Sequence, residues 1–156
     1  MTVIDSTFRR DANSIPITTV GLLASKTMTF AGATTNDPGD FDGTGNPATL
    51  FTVTGDVLLN VVALCKTDLA GATATIEFGT ATSTAALGNQ QTATNVDLHE
   101  TYHDAVLAVG GNVAGHWYLV DEDIIQTVGT ANITSGVLQY YCWWVPVSSD
   151  GNVVAA

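Results

Sequence analysis

Lysine and arginine are almost missing from this chain, with four among 156 residues and none after Lys66. Residues 67–156 carry nine carboxylates and no cation other than histidine. A surface of that kind repels polyanions, which argues against nucleic acid and anionic membranes as partners. Charge of either sign is scarce, at 12% of residues against a usual share of about 25%. Long apolar runs are missing too: Ile15–Ala24 is broken by Pro16, Thr18, Thr19 and Gly21, and nothing approaches the roughly 18 residues of a membrane helix. The amino terminus, MTVIDSTFRRDANS, has two arginines but no apolar stretch behind them, so it does not read as a secretion signal, and synthesis in the cytoplasm is expected. The chain has only two cysteines, Cys65 and Cys142, each inside a strand candidate and neither in a Cys-x-x-Cys pair. Two buried free thiols are expected, with a disulfide as the alternative.

Threonine stands where charge is missing, with 24 copies. Its β-branch favours strands while its hydroxyl tolerates water. That suits protein packed against protein, and simple β-propensity explains it as well. The length fits a single domain. Residues 1–14 read as a polar amino-terminal arm, 15–148 as the domain and 149–156 as a short tail.

Within the domain, strands are expected at Ile15–Leu23, Lys26–Ala31, Thr49–Thr54, Val57–Lys66, Thr73–Phe78, Thr92–Leu98, Val106–Val109, His116–Val120, Ile124–Val128 and Val137–Val145. The Gly/Asp/Asn/Pro-rich Asn36–Pro47 is the clearest loop. Val57–Lys66 is apolar on both faces apart from Asn60 and Lys66, the mark of a strand covered on both sides or lying at a subunit contact. Val137–Val145 divides into Leu138, Tyr140, Cys142, Trp144 and Val137, Gln139, Tyr141, Trp143, Val145. One set is expected in the core, the other against a second sheet or a neighbouring molecule. No segment has a clear 3.6-residue period, although Ser83–Gln90 or Val96–Ala108 has room for a helical turn. The expected fold is all-β: an antiparallel, jelly-roll-like β-sandwich with an extended amino-terminal arm.

Chemical motifs are few. His99-Glu100-Thr101-Tyr102-His103 spells H-E-x-x-H, which on a helix would set two imidazoles on one face to hold zinc. Its flanks are Asp97 and Asp104, no third ligand follows beyond a loose Glu122, and a β-rich chain offers no long helix. A polar strand end or loop is the expected reading, with a weak metal site in an extended strand as the alternative. In the loop Asp37–Asn46, Asp40, Asp42, Thr44 and Gly45 fit positions 1, 3, 5 and 6 of a calcium-loop count, but position 12 is Phe51. Turns held by Asx side chains are expected there instead. Asp121-Glu122-Asp123 reads as an exposed turn. No nucleophile elbow, P-loop or dinucleotide fingerprint occurs, so no catalytic residue, cofactor or metal is expected. Trp117, Tyr118, Tyr140, Tyr141, Trp143 and Trp144 form an aromatic group suited to core and interface anchoring, with a sugar-stacking platform as the competing reading.

Three stretches, Asn36–Asp56 (NDPGDFDGTGNPATLFTVTGD), Asp68–Ala86 (DLAGATATIEFGTATSTAA) and Ser149–Ala156 (SDGNVVAA), resemble small capsid-associated proteins of tailed bacteriophages. The resemblance runs from about Asn36 to the carboxyl terminus and rests on turn-and-strand wording. It implies a head decoration or cement protein: a non-enzymatic β-sandwich, often a homotrimer, made in the host cytoplasm and bound to the major capsid protein on the outer head surface. Arg9 and Arg10 in the arm, Trp143 and Trp144 in the aromatic strand, and Val153 and Val154 in the tail are the expected interface residues. The competing function is a receptor- or glycan-binding sandwich of a head or tail fibre.

Overall fold

The computed structural model describes residues 21–32, 36–103 and 117–156. The expected arm with Arg9 and Arg10, the start of the first strand candidate and Val106–Val109 lie outside the described residues. Ten strands follow in chain order: β1 Leu22–Phe30, β2 Ala48–Thr54, β3 Val57–Ala70, β4 Thr75–Gly79, β5 Gly88–Thr92, β6 Thr101–Tyr102, β7 Tyr118–Val120, β8 Ile124–Gly129, β9 Ser135–Pro146 and β10 Asn152–Ala155. A 3₁₀ turn, Ala93–Asn95, lies between β5 and β6.

Two antiparallel sheets form an antiparallel β-sandwich, as expected. Sheet one runs β1-β9-β3-β6, with β7 also paired to β3; sheet two runs β10-β2-β8-β4-β5. The chain changes sheet at nearly every connection. With β6 and β7 counted as one interrupted strand, since both pair with β3, strands equally distant from the β4–β5 hairpin pair with one another: β1 with β9, β2 with β8, and β3 with β6 and β7.

Alternation fills the space between the sheets. Val57, Leu59, Val61, Ala63 and Cys65 point inward from β3, Leu138, Tyr140, Cys142 and Trp144 from β9, and Ile76 and Phe78 from β4, all buried. Phe78 meets Tyr102 and Tyr140 edge-on, with ring centroids 5.0 and 5.4 Å away. Two hydroxyls join the sheets through this apolar layer. Tyr140 donates to Gln126 Oε1 at 2.9 Å, and Tyr102 donates to the Ile76 carbonyl at 2.9 Å. Gln126, fully buried, also donates through Nε2 to the Pro38 carbonyl at 3.1 Å, so the β1–β2 loop is fastened to the core.

Local departures from the sequence reading have local causes. Lys26–Ala31 and the end of the preceding candidate merge into one strand, β1, because Leu22 through Phe30 pair without interruption along β9. The strand expected at Thr92–Leu98 is displaced to Gly88–Thr92, which pairs with β4, and the 3₁₀ turn follows it. The expected tail is a strand: Asn152–Ala155 pairs with β2. Two sheet-to-sheet crossings, β2 to β3 and β9 to β10, run side by side. Ser148 Oγ accepts the Asp56 N–H at 2.8 Å, and the Asp56 carbonyl accepts the N–H groups of Val147 and Ser148 at 2.9 and 3.1 Å. Gly55 makes the first crossing in the left-handed region (φ 62), where a Cβ would collide with Ser148 and Asp150. Once β9 has crossed there, the next residues have only the free edge of β2 to follow.

Candidate functional site

The string His99–His103 forms no helix. His99 sits in a turn with φ 70, its N–H donating to the Cys65 carbonyl at 3.0 Å, while Glu100 Oε2 accepts the Asp97 N–H at 3.1 Å. Thr101 and Tyr102 then form β6, and Tyr102 is buried between the sheets. The left-handed residue breaks the alternation that would align the two imidazoles. Among the described residues no three His, Cys, Asp or Glu side chains converge as a metal site.

In the β1–β2 loop, the carboxylate of Asp37 is occupied by the chain itself. Its two oxygens accept the N–H groups of Ala31 and Gly39, each at 2.9 Å. Asn46 reaches β8, accepting from the Val128 N–H at 2.9 Å and donating to the Val128 carbonyl at 2.7 Å. These are turn-holding roles of Asx side chains. In the acidic trio, Asp123 Oδ1 accepts the Val53 N–H at 2.9 Å, and Glu122 accepts the Thr82 N–H at 3.0 Å and its hydroxyl. Those two Thr82 bonds hold the Glu122 carboxyl below its usual range.

Both thiols are free and buried. Burial pushes Cys65 up to about 11 and Cys142 up to about 12, so both stay protonated and poorly nucleophilic at neutral pH. The buried Cys65 thiol donates weakly to the Thr67 and Val96 carbonyls.

The aromatic group divides between the two sides of sheet one. Tyr140 and Trp144 enter the core, and Trp144 is 7% exposed; Tyr141 and Trp143 point outward and stack on each other, with centroids 5.9 Å apart and an interplanar angle of 27°. Of the expected interface residues, Trp144 and Val153 are therefore packing residues of the monomer, because strand alternation turns them inward. Trp143 and Val154 face outward, on sheets one and two respectively.

Tyr141 and Trp143 sit in the middle of an apolar surface. Registered rows across sheet one read Val145–Leu58–Leu119, Leu23–Trp143–Asn60, Ser25–Tyr141–Val62 and Thr27–Gln139–Leu64. None of these twelve residues is acidic or basic. Leu119 is 65% exposed, Leu23 58% and Leu58 36%, so the second apolar face of β3 is in part open. Apolar patches of more than a few hundred Å² are uncommon on monomers and mark contact sites.

The carboxylates collect at the two ends of the sandwich. Among the described residues only Asp68 and Glu77 lie within strands. Asp56, Asp150 and the acidic trio belong to connections at one end; Asp37, Asp40, Asp42, Asp97 and Glu100 belong to the other. The long alternating strands leave the middle of sheet one clean. Sequence reading separated the two faces of β9; it missed the contribution of Leu23, Leu58 and Leu119, which only the cross-strand register brings beside them.

Comparison of the chain with protein-family models, curated proteins and solved structures finds no match. No helix among the described residues is long and apolar enough to cross a membrane.

Proposed function

We propose that this chain is a virion structural protein of a tailed bacteriophage: a capsid decoration or cement protein on the outer head surface. It binds the major capsid protein and other copies of itself, as a homotrimer if it follows the proteins it resembles. The observation that carries this reading is the apolar outer face of sheet one, whose four cross-strand rows hold no charged residue, on a chain that keeps most of its carboxylates in the connections. Such a face serves contact with protein.

Two further features support it. The pairing of strands about the β4–β5 hairpin is what results when a long hairpin is rolled into two sheets, and on this reading the sandwich is a jelly roll, an architecture used by viral capsid and lectin domains. Two of the three stretches that carry the phage resemblance also lie together, since β10 from Ser149–Ala156 pairs with β2 from Asn36–Asp56. A sugar-binding role fits the surroundings of Tyr141 and Trp143 less well. Leucine and valine border the rings, and Asn60 and Gln139 are the only amides in the four rows.

The mechanism is mechanical. Each copy adds contact area across a boundary between capsid subunits, which raises the cost of separating them under internal pressure. Arg9 and Arg10 in the amino-terminal arm supply positive charge for acidic parts of the shell. The test is co-sedimentation of the purified chain with undecorated heads, followed by imaging. Saturable binding with new outer density, weakened by deletion of residues 1–14, is expected. Absence of binding to the heads would sink the reading.

A further inference from the structure

We infer that the outer face of sheet one is a self-association surface, and that two copies of this chain pack these faces together as an isologous dimer. This names the partner of the face on which the proposed function rests, and puts a two-fold contact where the phage resemblance implies a three-fold one.

Charge points to a second copy. Each chain carries a net charge of −11, so two copies repel wherever their carboxylates approach. The four cross-strand rows contain no carboxylate, and among the described residues all acidic groups but Asp68 and Glu77 sit in the connections between strands. Strand rise and spacing make the face about 25 Å long and about 20 Å wide across β1, β9, β3 and β7. Its centre is thus farther from either end than the screening length of about 8 Å at physiological salt. A contact centred on Tyr141 and Trp143 brings apolar surface together while the charged ends stay screened. A strongly basic or acidic partner would find no charged group in these four rows to pair with.

Area agrees. A patch of that size gives about 500 Å² per copy and about 1,000 Å² in total, the lower bound for a specific interface. The face presented to its own copy meets as two-fold symmetry requires, residue i of one copy against j of the other and j against i. The stacked aromatic pair at the centre, with Leu23, Leu58 and Leu119 around it, follows the usual layout of an anchor inside a water-excluding ring.

Sedimentation equilibrium of the full chain, without capsids, tests the inference. The wild type should show twice the 16.2 kDa monomer mass. Leu23→Asp and Leu119→Asp change exposed side chains outside the core, so each should fold, with an unchanged far-ultraviolet circular dichroism spectrum, and sediment as a monomer. Thr52→Asp, on the outer face of sheet two, should remain a dimer. A monomeric wild type overturns the inference and leaves the face to the chain's own residues 1–20 or to the shell. A trimer, or a dimer that survives both leucine substitutions, overturns it as well. The two readings fail separately: a dimer that binds no heads defeats the capsid role alone, and a monomer that decorates heads defeats the dimer alone.

Discussion

The two outer faces of this sandwich solve the same problem with different residues. Sheet two turns Thr49, Thr52 and Thr54 to solvent, with Glu77 as its one carboxylate and Gln90 donating to it. Sheet one turns Leu23, Leu58, Leu119, Tyr141 and Trp143 outward. Threonine alone supplies strand propensity and a wettable surface, so a sheet needs no outward aromatics to exist. Those on sheet one must serve another purpose. The contrast shows that low charge in this chain has two meanings: a neutral hydroxyl surface on one side and a contact surface on the other.

That comparison assumes one cooperative unit beneath both faces, and the largest expected effect tests the assumption. Phe78→Ala removes the ring that touches Tyr102 and Tyr140 and should cost about 3–5 kcal/mol in urea unfolding, with both sheets lost in one transition. Two separate transitions would mean that the faces belong to independent units.

A smaller effect is expected from alkaline pH, which acts on the inner side of sheet one. Burial raises Cys142 to about 12 and Cys65 to about 11, and raises the Tyr102 and Tyr140 hydroxyls above their ordinary value. Each folded value exceeds the unfolded one, so the protonated form is favoured in the native state. The contribution is complete below the ordinary thiol value of 9.0 and is lost as pH rises through the folded values. Urea midpoints should therefore be unaffected by these groups up to that pH and fall beyond it; a rise above pH 9.0 would contradict the burial of these groups.

The smallest effects sharpen the contrast itself. In dilute monomer, Trp143→Thr should cost about 1 kcal/mol, the loss of a stacked pair on a half-exposed face. Thr52→Val on sheet two should stay within about 0.5 kcal/mol of wild type. Equal costs in thermal unfolding would remove the distinction between the faces.

Much of the inner architecture was legible because strands write their two faces into alternate residues. Leu138, Tyr140, Cys142 and Trp144 separate from Tyr141 and Trp143 on inspection, and the outcome matches that division. Which set faced the core was not legible, since both are aromatic. β5 was misplaced because Gly88-Asn89-Gln90-Gln91 has little strand propensity; its pairing with β4 and its carbonyl contacts with the Tyr102 hydroxyl hold it from outside the segment. β10 was read as a tail because four residues, Asn152–Ala155, carry too little pattern to reveal a partner strand 100 positions earlier. The H-E-x-x-H string shows the opposite error, a strong local spelling with no local structure to support it. The apolar face depends on the register of four strands, and register between distant segments is not a property of any short window.

The Tyr140–Gln126–Pro38 chain of hydrogen bonds has a consequence for the order in which the molecule can come apart. A long connection rich in glycine, such as the one between β1 and β2, would ordinarily be the first segment to fluctuate. Here, lifting the loop off leaves a buried amide without its acceptor, and sliding the sheets leaves the same amide without its donor, at about 1–3 kcal/mol in either case. Loop release and sheet separation are therefore coupled, and slow amide exchange should extend from the strands into Gly39 and its neighbours. The fastest-opening parts are then the short outer strands, where β10 holds to the sandwich by a single edge.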